Sequence, residues 1–230
     1  MGIFKKKEEG GLPPSSDPIV TYHITQALNG KLTVTPKSPS YNTYHIVLDK
    51  PKTFRDSIDI SVVHATGTDN CTAQHEGVVG HCVTQVSTGK FLDFSVSDNS
   101  GLKLSHSGHG SSSKYSLQTE DGALKDARWV HDSLPGRTKS EGRLKLENGN
   151  GILARFAGAG GSVSEFGMLE IYDQGVAARD AGVDWCGLVI LTAVCVYLRE
   201  ERHREKQAKV KGGVGVLGGV GDVLGLVGGV

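Results

Sequence analysis

The segment CTAQHEGVVGHC brings two thiols and two imidazoles together, at Cys71, His75, His81 and Cys82. Thiolates and imidazoles are the side chains that commonly bind zinc in proteins. The segment contains no C-x-x-C knuckle, however, and its histidines do not lie on a predicted helix. If VVGHCVTQV is a strand, His81 and Cys82 point to opposite faces of the sheet. We therefore expect no metal site here, and the four residues are kept only as candidate ligands.

Three further segments invite comparison with catalytic or cofactor motifs. The segments around Ser111 and Ser162 lack the G-x-S-x-G elbow, which needs a strand-to-helix turn. Residues 213–218 fit G-x-G-x-x-G, but a repetitive glycine-rich tail supplies neither the strand before that motif nor the helix after it. We predict no enzyme activity and no cofactor. A small hydrolase or a metal-binding protein is the alternative that these patterns leave open.

The net charge limits the possible partners of the protein, and the N-terminal segment and the cysteines indicate its compartment. The 25 basic and 25 acidic side chains give a formal net charge of zero, so the whole chain does not attract nucleic acid. The opening segment has no apolar run of the kind that secretory signals carry, which predicts a cytoplasmic protein with reduced cysteines. We also expect a monomer. Cys186 and Cys195 are nine residues apart, on opposite faces of a helix, and cannot bridge each other.

The middle of the chain has the texture of an antiparallel all-β domain. Short segments rich in Val, Ile, Thr and Tyr alternate with turn residues. Residues 1–18 and 207–230 differ in composition and predict a disordered tail and a Gly/Val-rich low-complexity tail. Residues 105–113 and 133–142 are rich in polar and turn-forming residues and predict loops. Eleven segments predict strands: IVTYHIT, KLTVT, TYHIVLD, IDISVVH, VVGHCVTQV, KFLDFSV, KYSLQ, ARWVHD, RLKLEN, GILARFA and GMLEIYD.

The run WCGLVILTAVCVYL, residues 185–198, contains no charged side chain. A helix of this length spans about 21 Å, whereas a bilayer core of ~30 Å needs about 20 residues. Because the run is apolar on every face, the helix must be surrounded on all sides. We predict a closed antiparallel barrel of about 11–12 strands in a domain over 19–206, around a central helix at about 183–201. The helix residues expected in the core are Trp185, Leu188, Val189, Ile190, Leu191, Val194 and Leu198.

Several motifs between residues 127 and 204 point to a known family. They are Trp129 after Arg128, RLKLEN, GILARF, GMLEIYDQG and the terminal run DWCGLVILTAVCVYLREERHR. Together they resemble the Tubby C-terminal-like superfamily, which includes phospholipid scramblases and LURP-one-related proteins, and most closely its uncharacterised fungal branch. The resemblance implies a twelve-stranded barrel that encloses a C-terminal hydrophobic helix. The insertion at 133–142 and the glycine-rich tail depart from the family pattern.

Basic residues at both ends of the domain are candidate contacts for anionic lipid, at about 1 kcal/mol each near a membrane surface. Tubby proteins bind phosphoinositides and scramblases act at membranes. The resemblance therefore implies a non-enzymatic binding module for a membrane surface or a protein partner, peripheral to the membrane. The alternative is a scramblase-like or single-span membrane protein that uses the helix at 185–198. The candidate lipid-binding residues are Arg202, Arg204, Lys206, Lys209, Lys5, Lys6 and Lys7.

Overall fold

A computed structural model describes residues 17–27, 31–49, 57–65, 77–85, 91–96, 102–108, 113–118, 126–132, 142–159, 162, 164–172 and 184–210. These residues form twelve strands and one helix. The elements are β1 (Val20–Gln26), β2 (Leu32–Pro36), β3 (Tyr44–Asp49), β4 (Ser57–His64), β5 (Val78–Gln85), β6 (Phe91–Val96), β7 (Lys103–Ser107), β8 (Lys114–Gln118), β9 (Arg128–His131), β10 (Arg143–Asn148), β11 (Gly151–Gly158), β12 (Glu165–Ile171) and α1 (Trp185–Val210).

The strands form one antiparallel sheet that curls into a nearly closed barrel. Each strand pairs with its neighbour in the chain, from β1 to β6 and from β7 to β12, and β1 also pairs with β12. The sheet therefore ends at β6 and β7. These two strands contact each other across a seam that has no backbone ladder in the described residues. The predicted antiparallel barrel with a C-terminal helix is confirmed.

Alternation along the strands separates the core from the outer surface, because successive side chains point to opposite faces. In β3, Tyr44, Ile46 and Leu48 are buried, whereas their neighbours are partly exposed. In β10, Leu144 and Leu146 are buried in the same way. The period-two pattern of these strands thus directs one of their faces toward the interior of the barrel.

The central helix is buried on every side, as its all-apolar run predicts. All seven helix residues expected in the core are at most 4% exposed. The polar side chain of Thr192 is also buried, and its hydroxyl donates to the backbone oxygen of Leu188 at 2.9 Å. The indole Nε1 of Trp129 on β9 donates to the same hydroxyl at 2.9 Å. The barrel therefore satisfies the polar atoms that it buries around Thr192.

The helix begins where predicted but extends further. The Asp184 carboxylate accepts a hydrogen bond from the backbone N–H of Gly187 at 3.1 Å, which is the arrangement of a helix N-cap. The predicted end near residue 201 is wrong, since the helix continues to Val210. The predicted span, about 183–201, extends only three residues beyond the apolar run at 185–198. The charged residues that follow are also strong helix formers, and the next residues after Lys211 are glycines.

One strand was missed. The prediction of a loop over 105–113 is wrong in its first part, because β7 includes Ser105, His106 and Ser107. Within β7, Leu104 is the one buried side chain, so the sequence shows no apolar alternation there. The strand is held by its ladder with β8, from Lys103 opposite Gln118 to Ser107 opposite Lys114. Backbone pairing rather than side-chain burial defines it.

Glycine allows α1 and β5 to approach closely. A Cβ atom added at Gly187 of α1 would lie 2.0 Å from Cγ1 of Val79, and one added at Gly80 would lie 2.8 Å from Cδ2 of Leu191. The pairing of β4 with β5 shifts register between Val62 and Val63, which leaves Val79 as an extra residue, and its side chain is buried. Both Val79 and Gly80 therefore face the helix.

We expect Gly187→Ala to destabilise the protein even though it improves helix propensity by about 1 kcal/mol. The added methyl group would overlap Val79, and overpacking of this kind costs roughly 1–3 kcal/mol. Thermal and urea unfolding measure the difference. Gly149→Ala is the control, because a Cβ there meets no atom within 4 Å. A Gly187→Ala protein more stable than wild type would contradict the close packing of α1 against β5.

Candidate functional site

A cluster of polar side chains surrounds the helix at the end of the barrel where α1 emerges, here called the exit end. Its central residue is Glu200, which is 6% exposed. The Glu200 carboxylate accepts a short hydrogen bond from the Tyr115 hydroxyl of β8 and lies 3.4 Å from Nε2 of His131 on β9. Burial of an unpaired carboxylate lowers the stability of the fold, so Glu200 needs these partners. The contacts join the last buried turn of the helix to β8 and β9.

Burial alone would raise the pKa of Glu200. The nearby His131 side chain, the hydrogen bond from Tyr115 and the positive charge of Arg199 outweigh it and hold the pKa of Glu200 below its ordinary value. Burial and the neighbouring Glu200 charge raise the pKa of Tyr115. The pair is therefore a carboxylate that accepts from a neutral phenol at physiological pH.

Arg199 contacts three strands next to the seam. Its Nη2 lies 3.0 Å from Nδ1 of His106 on β7, and its guanidinium stacks over the rings of Phe91 on β6, at 5.7 Å, and Tyr115, at 4.9 Å. Guanidinium groups only donate hydrogen bonds, so this contact requires His106 to accept at Nδ1 and carry its proton on Nε2. Arg199 therefore links β6 to β7, where no backbone ladder joins the described residues of the two strands.

Beyond Glu200 the helix leaves the barrel. Glu201, Arg202 and Arg204 are partly exposed, and His203 is exposed. The Arg204 guanidinium forms a short ion pair with the Glu201 carboxylate. Lys206 and Lys209 lie further along the same helix. The structure thus brings the four predicted C-terminal lipid-binding residues together on the emerging segment of α1, whereas Lys5, Lys6 and Lys7 lie outside the described residues.

A second polar cluster lies at the opposite end of the barrel, around the helix cap. The Tyr44 hydroxyl donates to the Asp184 carboxylate at 3.0 Å, and Nε2 of His64 lies 3.4 Å from the same group. Burial, and then the Asp184 charge, raise the pKa of Tyr44. The Tyr44 ring stacks on the His64 ring, with 5.0 Å between centroids. This cluster fixes the start of the helix as the Glu200 cluster fixes its exit.

The structure separates the two candidate metal ligands that it describes. Cys82 is buried against the helix, whereas His81 points to the outer face and contacts the Asp59 carboxylate. Cys71 and His75 lie outside the described residues. Among the residues that the structure describes, no three His, Cys, Asp or Glu side chains are placed to hold a metal ion. The hydroxyl of Ser162 accepts a backbone N–H from Glu165 at 3.1 Å.

Sequence reasoning missed the residues that form the two clusters. Tyr115, His131 and His106 come from separate strands, and no spacing along the chain links them to Glu200. Glu200 lies in a run of charged residues that resembles an exposed helix end. The one available signal was its position directly after the apolar run, where the last turn inside the barrel must lie. The paired titratable groups of the two clusters join the two ends of the buried helix to the barrel wall.

Comparison of the chain with protein-family models, with curated proteins and with solved structures gives no match. The assignment to the Tubby C-terminal-like superfamily therefore stays a prediction, although the barrel and helix that it implied are present. Over the described part of the chain, no helix combines the length and apolarity that a membrane span requires.

Proposed function

We propose that the protein is a non-enzymatic binding module whose exit end contacts anionic phosphate headgroups at a membrane surface. The observation that carries this proposal is the course of α1, which continues past the barrel to Val210. The four basic residues Arg202, Arg204, Lys206 and Lys209 all lie on this emerging segment of α1. A contact surface at the end of the nearly closed barrel requires no change in the fold.

The charge along this part of the helix favours an anionic ligand. Residues 199–210 include five basic and three acidic side chains, and one of the acids, Glu200, faces the interior and is paired with Tyr115 and His131. Glu201 forms an ion pair with Arg204. The local excess of positive charge contrasts with the zero net charge of the whole chain. Contacts of this kind act over about a Debye length and weaken as salt increases.

The resemblance to the Tubby C-terminal-like superfamily supports the same ligand class, since tubby proteins bind phosphoinositides. Fold-level analogy does not identify function by itself. We therefore rest the proposal on the emerging basic segment, and we take a protein partner at the same end as the second outcome of the test. The phosphate-binding residues are proposed from their position on α1 and not by correspondence with another protein.

Liposome flotation of the full chain tests the proposal. Vesicles of phosphatidylcholine alone, with phosphatidylserine and with phosphatidylinositol bisphosphate are compared at low and high salt. We expect flotation with the anionic vesicles only, with loss at high salt. Lys206→Gln/Lys209→Gln is expected to reduce the partition coefficient about 30-fold, at about 1 kcal/mol per basic residue.

Two control variants locate the contact. Lys37→Gln/Lys103→Gln removes the same charge from exposed positions near the opposite end of the barrel and should leave flotation unchanged. Lys5→Gln/Lys6→Gln/Lys7→Gln tests the N-terminal lysines separately. If the protein floats with none of the vesicles, the lipid proposal is wrong and a protein partner is favoured. A loss confined to the N-terminal variant would move the contact away from the exit end.

A further inference from the structure

Two cysteines from distant parts of the sequence meet where α1 packs against β5. Cys82 on β5 and Cys195 on α1 are both fully buried and carry free thiols. The Cys195 thiol lies within hydrogen-bonding contact of the Cys82 thiol. In the sequence, strands β6 to β12 lie between the two cysteines, so no sequence motif indicates that they pair.

The packing of α1 on β5 accounts for this contact independently. Leu191 faces Gly80, where a Cβ would lie 2.8 Å from the leucine side chain. Cys195 follows Leu191 by four helical residues, a rise of about 6 Å, and Cys82 follows Gly80 by two strand residues, a rise of about 6.6 Å. Because the two rises are nearly equal, Cys195 lies beside Cys82 as Leu191 lies beside Gly80. The missing side chain at Gly80 also brings the two backbones close, as a disulfide requires.

We propose that Cys82 and Cys195 are a covalent modification site, at which a disulfide ties the central helix to the barrel wall. The oxidant class is a low-molecular-weight disulfide. The thiolate of one cysteine attacks it, forms a mixed disulfide and releases one small thiolate. The second cysteine then attacks the protein sulfur of that mixed disulfide and releases the other small thiolate. Two protein thiols are oxidised, one small disulfide is reduced, and both thiol protons pass to the small thiolates.

Burial, with the neighbouring Cys82 as a smaller cause, raises the pKa of Cys195 well above its ordinary value. Because the thiolate is the reactive form, exchange is slow while the barrel is closed. Oxidation therefore proceeds through transient opening of the core around β5, which is next to the strand that forms one side of the seam. Once formed, the disulfide keeps the helix from leaving the barrel again. The rate at which the disulfide forms therefore reports how often the core around the helix opens.

The disulfide would close a long loop, from β5 to the last buried turns of α1, and constrain the unfolded chain. In the chain-entropy model, a disulfide that closes a loop of about 100 residues stabilises the folded protein by lowering the entropy of the unfolded chain. For a domain of this size we expect an increase of about 10 °C in Tm. Cys186 cannot replace Cys195 in this role. It lies nine residues earlier in the helix, at the capped end near Asp184, and is partly exposed.

The test uses the full chain and its Cys71→Ser/Cys186→Ser variant, which retains only the proposed pair. Both proteins are incubated to equilibrium with oxidised glutathione under native conditions, blocked with N-ethylmaleimide and mapped by mass spectrometry. We expect a peptide linked through Cys82 and Cys195, loss of both labelling sites, and a higher Tm that dithiothreitol reverses. Because linkage is mapped directly, the result does not depend on whether a variant that lacks Cys82 folds.

Two results would overturn the proposal. One is that no Cys82–Cys195 link forms in native protein, even if the link does form in urea. The other is a link that joins either cysteine to Cys71 or Cys186 in the full chain instead. Failure of the flotation experiment has no bearing on these outcomes, since they depend on the packing of α1 against β5 and not on the ligand of the exit end.

Discussion

Leu191→Asp is expected to prevent stable folding. Leu191 is fully buried in the middle of α1 and faces Gly80 of the barrel wall. A carboxylate at this position would be buried among apolar side chains without a cationic partner, and a burial cost above about 5 kcal/mol is comparable to the entire stability of many domains. Circular dichroism and thermal unfolding should show loss of the cooperative transition.

Leu191→Met is the matched control for this experiment. It keeps the volume and the apolar character of the side chain, and such exchanges usually cost less than about 1.5 kcal/mol. A Leu191→Asp protein that unfolds at the temperature of the wild type would mean that the middle of α1 is exposed to solvent. The enclosed position of the helix, and the barrel built around it, would then be wrong.

Glu200→Gln is expected to lower the free energy of unfolding by about 1.5–3 kcal/mol at pH 7, the range for hydrogen bonds to charged groups. Glutamine preserves the shape and still accepts from Tyr115, but it removes the negative charge beside His131 and Arg199. Urea unfolding measured from pH 7 to acid pH checks the effect. The exposed Glu165 provides the control, and Glu165→Gln should change stability by less than about 0.5 kcal/mol.

The pH dependence follows from the direction of the shift. The folded-state pKa of Glu200 lies below its ordinary value, so its contribution is fully present above the unfolded-state pKa of about 4.3 and is lost as the pH falls toward the folded-state pKa. The difference between wild type and Glu200→Gln should therefore be constant near neutral pH and shrink in acid. A difference that grew as the pH fell would show that the Glu200 pKa is raised by burial instead.

Local patterns in the sequence were sufficient to predict most of the fold. Period-two alternation in segments such as RLKLEN identified strands, because one face of each strand is buried and the other is not. The all-apolar run at 185–198 required a helix enclosed on every side, and a closed barrel is the arrangement of many strands that provides this. The same logic failed at β7, where backbone pairing holds a strand with one buried side chain, and at the polar continuation of α1 to Val210.

The rotation of α1 inside the barrel was decided by the tertiary structure alone. A helix that is apolar on every face has no stripe to indicate which residue faces which strand. In the folded protein, three kinds of contact fix its orientation: the Asp184 and Glu200 clusters at its ends, the Trp129 hydrogen bond to Thr192, and the close approach at Gly80. The Cys82–Cys195 contact exists only once that rotation is set, which is why no spacing in the sequence could reveal it.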